Sequence, residues 1–238
     1  MKTSNGVAAV FSLDFQINAA IILMLINIEK ANKVKVERET GRVDITFSDN
    51  KLLIAQVKAV VNPHDFSQVK EKLEKGLQSL NQAAKFSDVE QLVYITNSPN
   101  PFNEGKYRFI NAVNMCPFSE LPLNCQQIII DICQSQNYDL DQTLLTIGVI
   151  QFFGQNEDER YKVMFSRIEE FLKNIEANSI SIKELLTIWQ NSFRQKASQK
   201  ELTITKNDMI WPIIASVCKI NEEAARLIDY DNQDIDEI

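Results

Sequence analysis

Between residues 34 and 61 the chain offers three β-type runs joined by two turns too short for anything but reversal. VKVERE (34–39) alternates apolar and charged side chains, as a half-buried strand does. Thr40-Gly41-Arg42 makes a tight turn into VDITF (43–47), and SDNK (48–51) makes a second into LLIAQVKAVV (52–61). Alternating runs joined this way predict an antiparallel meander. Such a sheet needs cover on its faces. LDFQINAAIILMLINIEK (13–30) is apolar on nearly every side and reads as a buried helix ending at Asn32. After the stop at Asn62-Pro63, HDFSQVKEKLEKGLQSLNQAAKF (64–86) is amphipathic. Phe66, Val69, Leu73, Leu77 and Leu80 form its stripe, and Lys70, Lys72 and Lys75 lie off it. QLVYITN (91–97) is then a fourth strand, parallel to its predecessor because a helix separates them. QQIIIDI (126–132) is a candidate fifth strand.

From about residue 139 the periodicity reads as helical throughout. DLDQTLLTIGVIQFF, EDERYKVMFSRIEEFLKNI and SIKELLTIWQNSFRQ all follow it. Ser181 with Glu184 fits a capping box, and Thr205 an N-cap ahead of a helix kinked at Pro212. The expected fold class is α/β, with a mixed sheet flanked by helices over 1–138 and an all-helical C-terminal region with an acidic tail over 139–238.

Charge divides along the same line. Residues 1–110 carry 14 Lys and Arg against 12 Asp and Glu, while residues 111–238 carry 11 against 20. A polyanion partner therefore belongs with the first half, although the chain as a whole is at −7. The four cysteines form no CxxC pair and read as reduced thiols. The apolar run AAIILMLINI (19–28) is ten residues, short of the ~20 that a bilayer needs. No membrane association and a cytoplasmic location are expected.

One strand carries an oddity. Gln56 and Lys58 interrupt an otherwise apolar run, and a spacing of two puts them on one face. Asp44 lies across the hairpin turn, near this face or away from it depending on register. A carboxylate, an amide oxygen and a lysine suit phosphodiester chemistry, in which a hard cation takes oxygen ligands and a fixed ammonium adds charge. The plainer reading is an edge strand with one wet face. His64 is a loop or cap residue at the start of a helix.

The order VDITF, IAQVK, then a Lys-rich helix resembles the PD-(D/E)xK nuclease superfamily, with a Gln variant of the third motif position. With FSLDFQINAAIILML, LVYITNSP and ITKNDMIWPI, the chain is similar to the effector nuclease domain of CD-NTase-associated anti-phage systems. The resemblance implies a restriction-endonuclease-like core and a Mg²⁺- or Mn²⁺-dependent endodeoxyribonuclease. Asp44, Gln56 and the Val57 carbonyl would then hold the metal, and Lys58 would activate water. Glu37, or failing it Glu29, would complete the catalytic set. Gln16 would line the pocket, and Lys70, Lys72 and Lys75 would contact DNA. It also implies gating by a regulatory ATPase, a sensor protein or homo-oligomerisation. The alternative is a catalytically silent interaction or scaffold subunit of a multi-protein defence complex.

Overall fold

The structure, a computed structural model, describes residues 3–103, 108–152, 157–196 and 201–233. The meander forms as expected. β1 (Ala31–Glu37), β2 (Arg42–Phe47) and β3 (Leu52–Lys58) pair antiparallel, and α2 (Val69–Ala84) carries the chain over to β4 (Val89–Thr96), parallel to β3. The sheet has seven strands in the order β5-β6-β4-β3-β2-β1-β7. β5 is Val113–Pro117, β6 Leu145–Ile150 and β7 Glu201–Thr205. An α/β fold with a mixed sheet flanked by helices is therefore what the chain adopts.

Helices cover both faces. α1 (Thr3–Ile26), α4 (Glu157–Asn174), α5 (Ile182–Arg194) and α6 (Lys206–Gln233) bury one side, with Val34, Val36, Val43, Ile45, Ala55, Val57, Val93 and Ile95 beneath them. α2 and α3 (Leu123–Gln136) cover the other, over Ile54, Leu92, Tyr94 and Ile147. α2 approaches the sheet closely at Gly76, which sits directly over the Tyr94 ring. α5 is capped as expected, the Ser181 hydroxyl accepting from the Glu184 N–H.

Three expectations are corrected. QQIIIDI is not a strand but the body of α3, which starts after Pro122 and ends where Asn137 turns left-handed at φ 53°. The region past 139 is mainly helical, yet LTIGVI is the fully buried strand β6 and ELTIT is the edge strand β7. The first helix ends at Ile26, not at Asn32, which already belongs to β1. Residues 8–26 also have the length and composition of a membrane span, longer than the ten-residue run suggested. Here they form a core helix, with Phe15 and the stretch from Ala19 to Met24 buried. Of the acidic tail, residues 234–238 lie outside the described residues.

Candidate functional site

Strand register decides which polar side chains meet. Arg42 lies opposite Gln56 and Asp44 opposite Ile54, while Lys35 faces Asp44 and Glu37 faces Arg42. On the next strand Gln56 faces Tyr94 and Lys58 faces Thr96. Cross-strand partners share a face. Lys35, Glu37, Arg42, Asp44, Gln56 and Lys58 thus lie together on the side that α2 only partly covers. Glu29 stands at the far end of β1, in the turn that closes α1. Gln16, buried on α1, reaches the same end of the sheet as Gly41, which turns at φ 74°.

Asp44 is 5% exposed and already paired. Arg42 grips it with both arms, Nε to Oδ1 and Nη2 to Oδ2, each at 2.7 Å. Lys35 adds a second cation at 3.7 Å and also holds Glu37 at 3.0 Å. The Thr40 hydroxyl donates to Glu37 Oε2 at 3.1 Å. Burial pushes the Glu37 carboxyl up, but Lys35, Arg42 and Thr40 outweigh it and hold the group below its usual 4.5. The sign follows directly. Stability from this carboxylate is complete above pH 4.5 and drains away as pH falls through the lowered folded value. Glu37→Gln should therefore remove part of the wild-type acid sensitivity. Urea midpoints compared from neutral pH to below 4.5 should show wild type ahead at neutral pH and the gap closing in acid.

The lysines form a separate group. Lys58 and Gln56 both donate to the Thr40 carbonyl, at 3.3 and 2.7 Å. Lys72 reaches down from α2 to the Ala59 carbonyl at 2.8 Å, so two ammonium groups flank the C-terminal end of β3. Burial, then Lys72, then Lys75 push the Lys58 ammonium below its usual value. Burial does the same to Lys72. Lys75 pairs with Glu71 one turn back on the exposed helix face. Lys70 is exposed and none of these contacts involves it. His64 sits in the Asn62 turn, its N–H donating to the Asn62 side chain.

Sequence reasoning missed three features here. Arg42 sits two residues before Asp44, and the same spacing rule that joined Gln56 to Lys58 would have found it. Asn97, fully buried, bridges three strand ends. Its Nδ2 donates to the Val60 carbonyl at 2.8 Å and the Phe152 carbonyl at 3.2 Å, and its Oδ1 accepts from the Val60 N–H at 2.7 Å. On the other face, buried Asp14 accepts from Tyr161 at 2.9 Å and Arg194 at 3.3 Å, tying α1 to α4 and α5.

The donor set does not fit a hard divalent cation as it stands. Both Asp44 oxygens are held by Arg42, and the Gln56 amide nitrogen is turned to Thr40. Among the described residues no three His, Cys, Asp or Glu side chains gather at one point. An Arg-clamped carboxylate beside a lysine cluster is a charged platform on a mixed α/β sheet.

That architecture has solved counterparts. The Acinetobacter baumannii Cap4 SAVED/CARF-domain containing receptor with the cyclic trinucleotide 3'3'3'-cAAA matches 90% of this chain at 11% identity and a TM-score of 0.51. The same receptor with 2'3'3'-cAAA matches 88% at 13% identity, also with a TM-score of 0.51. In both cases this chain spans 46% of the receptor's length, so the likeness is one of fold over less than half of that protein. No known family profile and no curated protein matches the chain. These findings correct the family reading and the endonuclease assignment together. The counterparts are described as receptors, not as PD-(D/E)xK nucleases. The carboxylate on which the nuclease reading depended is spent in an ion pair.

Proposed function

We propose that this chain is a non-catalytic binding subunit of an anti-phage defence assembly, holding a phosphodiester ligand against Lys58, Lys72 and Lys75. The observation that carries the reading is the gathering of three lysines at the end of β3, two of them anchored to backbone carbonyls. Holding like charges together costs free energy, and an anionic ligand recovers it. The C-terminal ends of parallel strands are where open α/β sheets accept ligands, and β3 and β4 end together here. Cyclic trinucleotides, which the receptors of like fold are described as binding, carry this chemistry.

Fluorescence anisotropy with a labelled cyclic trinucleotide and a linear oligonucleotide of the same bases tests the reading. Lys58→Ala and Lys72→Ala should each weaken binding about ten-fold at low salt and flatten the salt dependence by roughly one phosphate's share. Lys70→Ala should change neither. Preference for the cyclic ligand would make the chain a sensor, and preference for the linear one a nucleic-acid adaptor. Failure to bind either, or binding indifferent to both lysines, refutes the proposal.

A further inference from the structure

Two loops leave the sheet where the lysines gather, and an aromatic ring joins them. Lys58 ends β3 opposite Thr96, which ends β4. The first loop runs from β3 to α2 and carries Phe66, whose carbonyl accepts from the Val69 N–H at 3.3 Å as the helix begins. The second loop leaves β4 and is tied back by the Phe109 N–H, which donates to the Pro99 carbonyl at 2.8 Å. That bond sets Arg108 at the same end of the sheet. Its guanidinium lies over the Phe66 ring, 5.6 Å from the ring centroid.

The sequence pattern puts Phe66 on the apolar stripe that leads into α2, yet the ring packs with neither core. It stays half-buried. Phe102, Phe109 and Phe152, on the segments that follow β4 and β6, are all buried. Phe66 is thus a ring kept at the surface beside the lysines and not spent on the interior. Charge at this spot is balanced. Asp65, whose carboxylate accepts from the Ser67 N–H at 3.0 Å, precedes the ring, and Arg108 lies over it. One charge of each sign gives a further phosphate little to gain there, whereas an uncharged π-face stacks without penalty.

We infer that Phe66, together with Arg108, is a stacking subsite for a nucleobase of the phosphodiester ligand held by Lys58 and Lys72. This inference rests on the ligand reading proposed above and adds the part of the ligand that the lysines do not touch. Cations that track a phosphodiester backbone, paired with aromatic rings that take its bases, are the general means of holding unpaired nucleotides. Phe66 supplies the π-face, and Arg108 supplies a planar cation that stacks on bases as it does on rings. Lys72 rides on the helix that Phe66 leads into, so backbone and base contacts share one rigid element.

Cyclic and linear trinucleotides carrying one 2-aminopurine, with abasic phosphodiesters of the same length, test it. Stacking on Phe66 should quench the 2-aminopurine emission on binding, and the abasic ligands should bind about ten-fold more weakly. Phe66→Leu keeps an apolar side chain and should lose the quench and about ten-fold in affinity, with the salt dependence unchanged. Phe66→Trp should keep both. Arg108→Lys keeps the charge but not the plane, and should weaken the quench while leaving the salt slope alone. Lysine-dependent binding with no quench, or with no preference for bases over abasic ligands, overturns this inference and leaves the ligand reading standing. A quench that survives Phe66→Leu also overturns it. A Phe66-dependent quench that ignores Lys58→Ala supports the subsite and sinks the lysine reading. No binding of any of these ligands overturns both.

Discussion

Gly76→Ala is expected to lower stability by about 2 kcal/mol, although helix propensity alone favours the change by about 1 kcal/mol. The sign is set by contact. A Cβ at residue 76 would lie 2.4 Å from two ring carbons of Tyr94. That ring is 1% exposed at the centre of the sheet and has no free side to turn into. Burial also raises the Tyr94 hydroxyl far above its ordinary value, only partly offset by a hydrogen bond with Thr96, so the ring end is held too. α2 must therefore lift, and it carries Leu73, Leu77 and Leu80 off Ile54 and Leu92 as it goes. Thermal melts should fall by roughly 4–8 °C for a chain of this size. Tyr94→Leu in the same background removes the opposing atoms. The double variant should lose less than the two single losses summed, a coupling that packing at this point requires. Because Lys72 and Lys75 ride on α2, the single variant should also displace the lysine cluster.

The meander was legible because its signals are local. Alternation in 34–47 and two short turns leave little choice of topology, and the helix that follows fixes β4 as parallel. β6 was not legible. A strand buried on both faces loses its alternation and reads as a plain apolar run, which in LTIGVI sits next to helical sequence on either side. α3 failed the other way. Three consecutive isoleucines suggest a strand, but Pro122 before the segment and Asn137 after it are helix punctuation, and packing of Cys125, Ile129 and Ile132 favours the helix. At the site, the two-residue spacing of Gln56 and Lys58 was sound, and register brought Asp44 to their face. What the sequence did not disclose was Asp44's partners. Arg42 lay within reach of the same-face rule, whereas Lys35 depends on the β1–β2 register, which no local signal fixes. In the structure that carboxylate is paired with Arg42 and Lys35, a contact that the sequence reading did not include.

Asn97→Ala should be the most damaging single substitution at this end of the sheet, costing about 3–4 kcal/mol. The side chain makes three hydrogen bonds in a fully buried setting. Each contributes about 1 kcal/mol when intact, and truncation also strands a buried N–H and two carbonyls without replacement. The consequence extends beyond stability. Both bonds to Val60 fix the chain two residues past Lys58, and Ala59 between them supplies the carbonyl that holds Lys72. Loss of the Asn97 clamp frees that carbonyl to move, so the two ammonium groups lose their common frame. Folded Asn97→Ala protein should therefore bind a phosphodiester ligand several-fold more weakly at temperatures well below its melt. Amide exchange should rise selectively over residues 58–61. Asn97→Asp separates shape from hydrogen bonding. It keeps the volume and the acceptor but cannot donate to Val60 and Phe152, and it should be destabilised at least as strongly at neutral pH. An Asn97→Ala melt unchanged from wild type would mean that the strand ends are held by the sheet alone. The lysine cluster would then owe its position to β3 and α2 and not to this clamp.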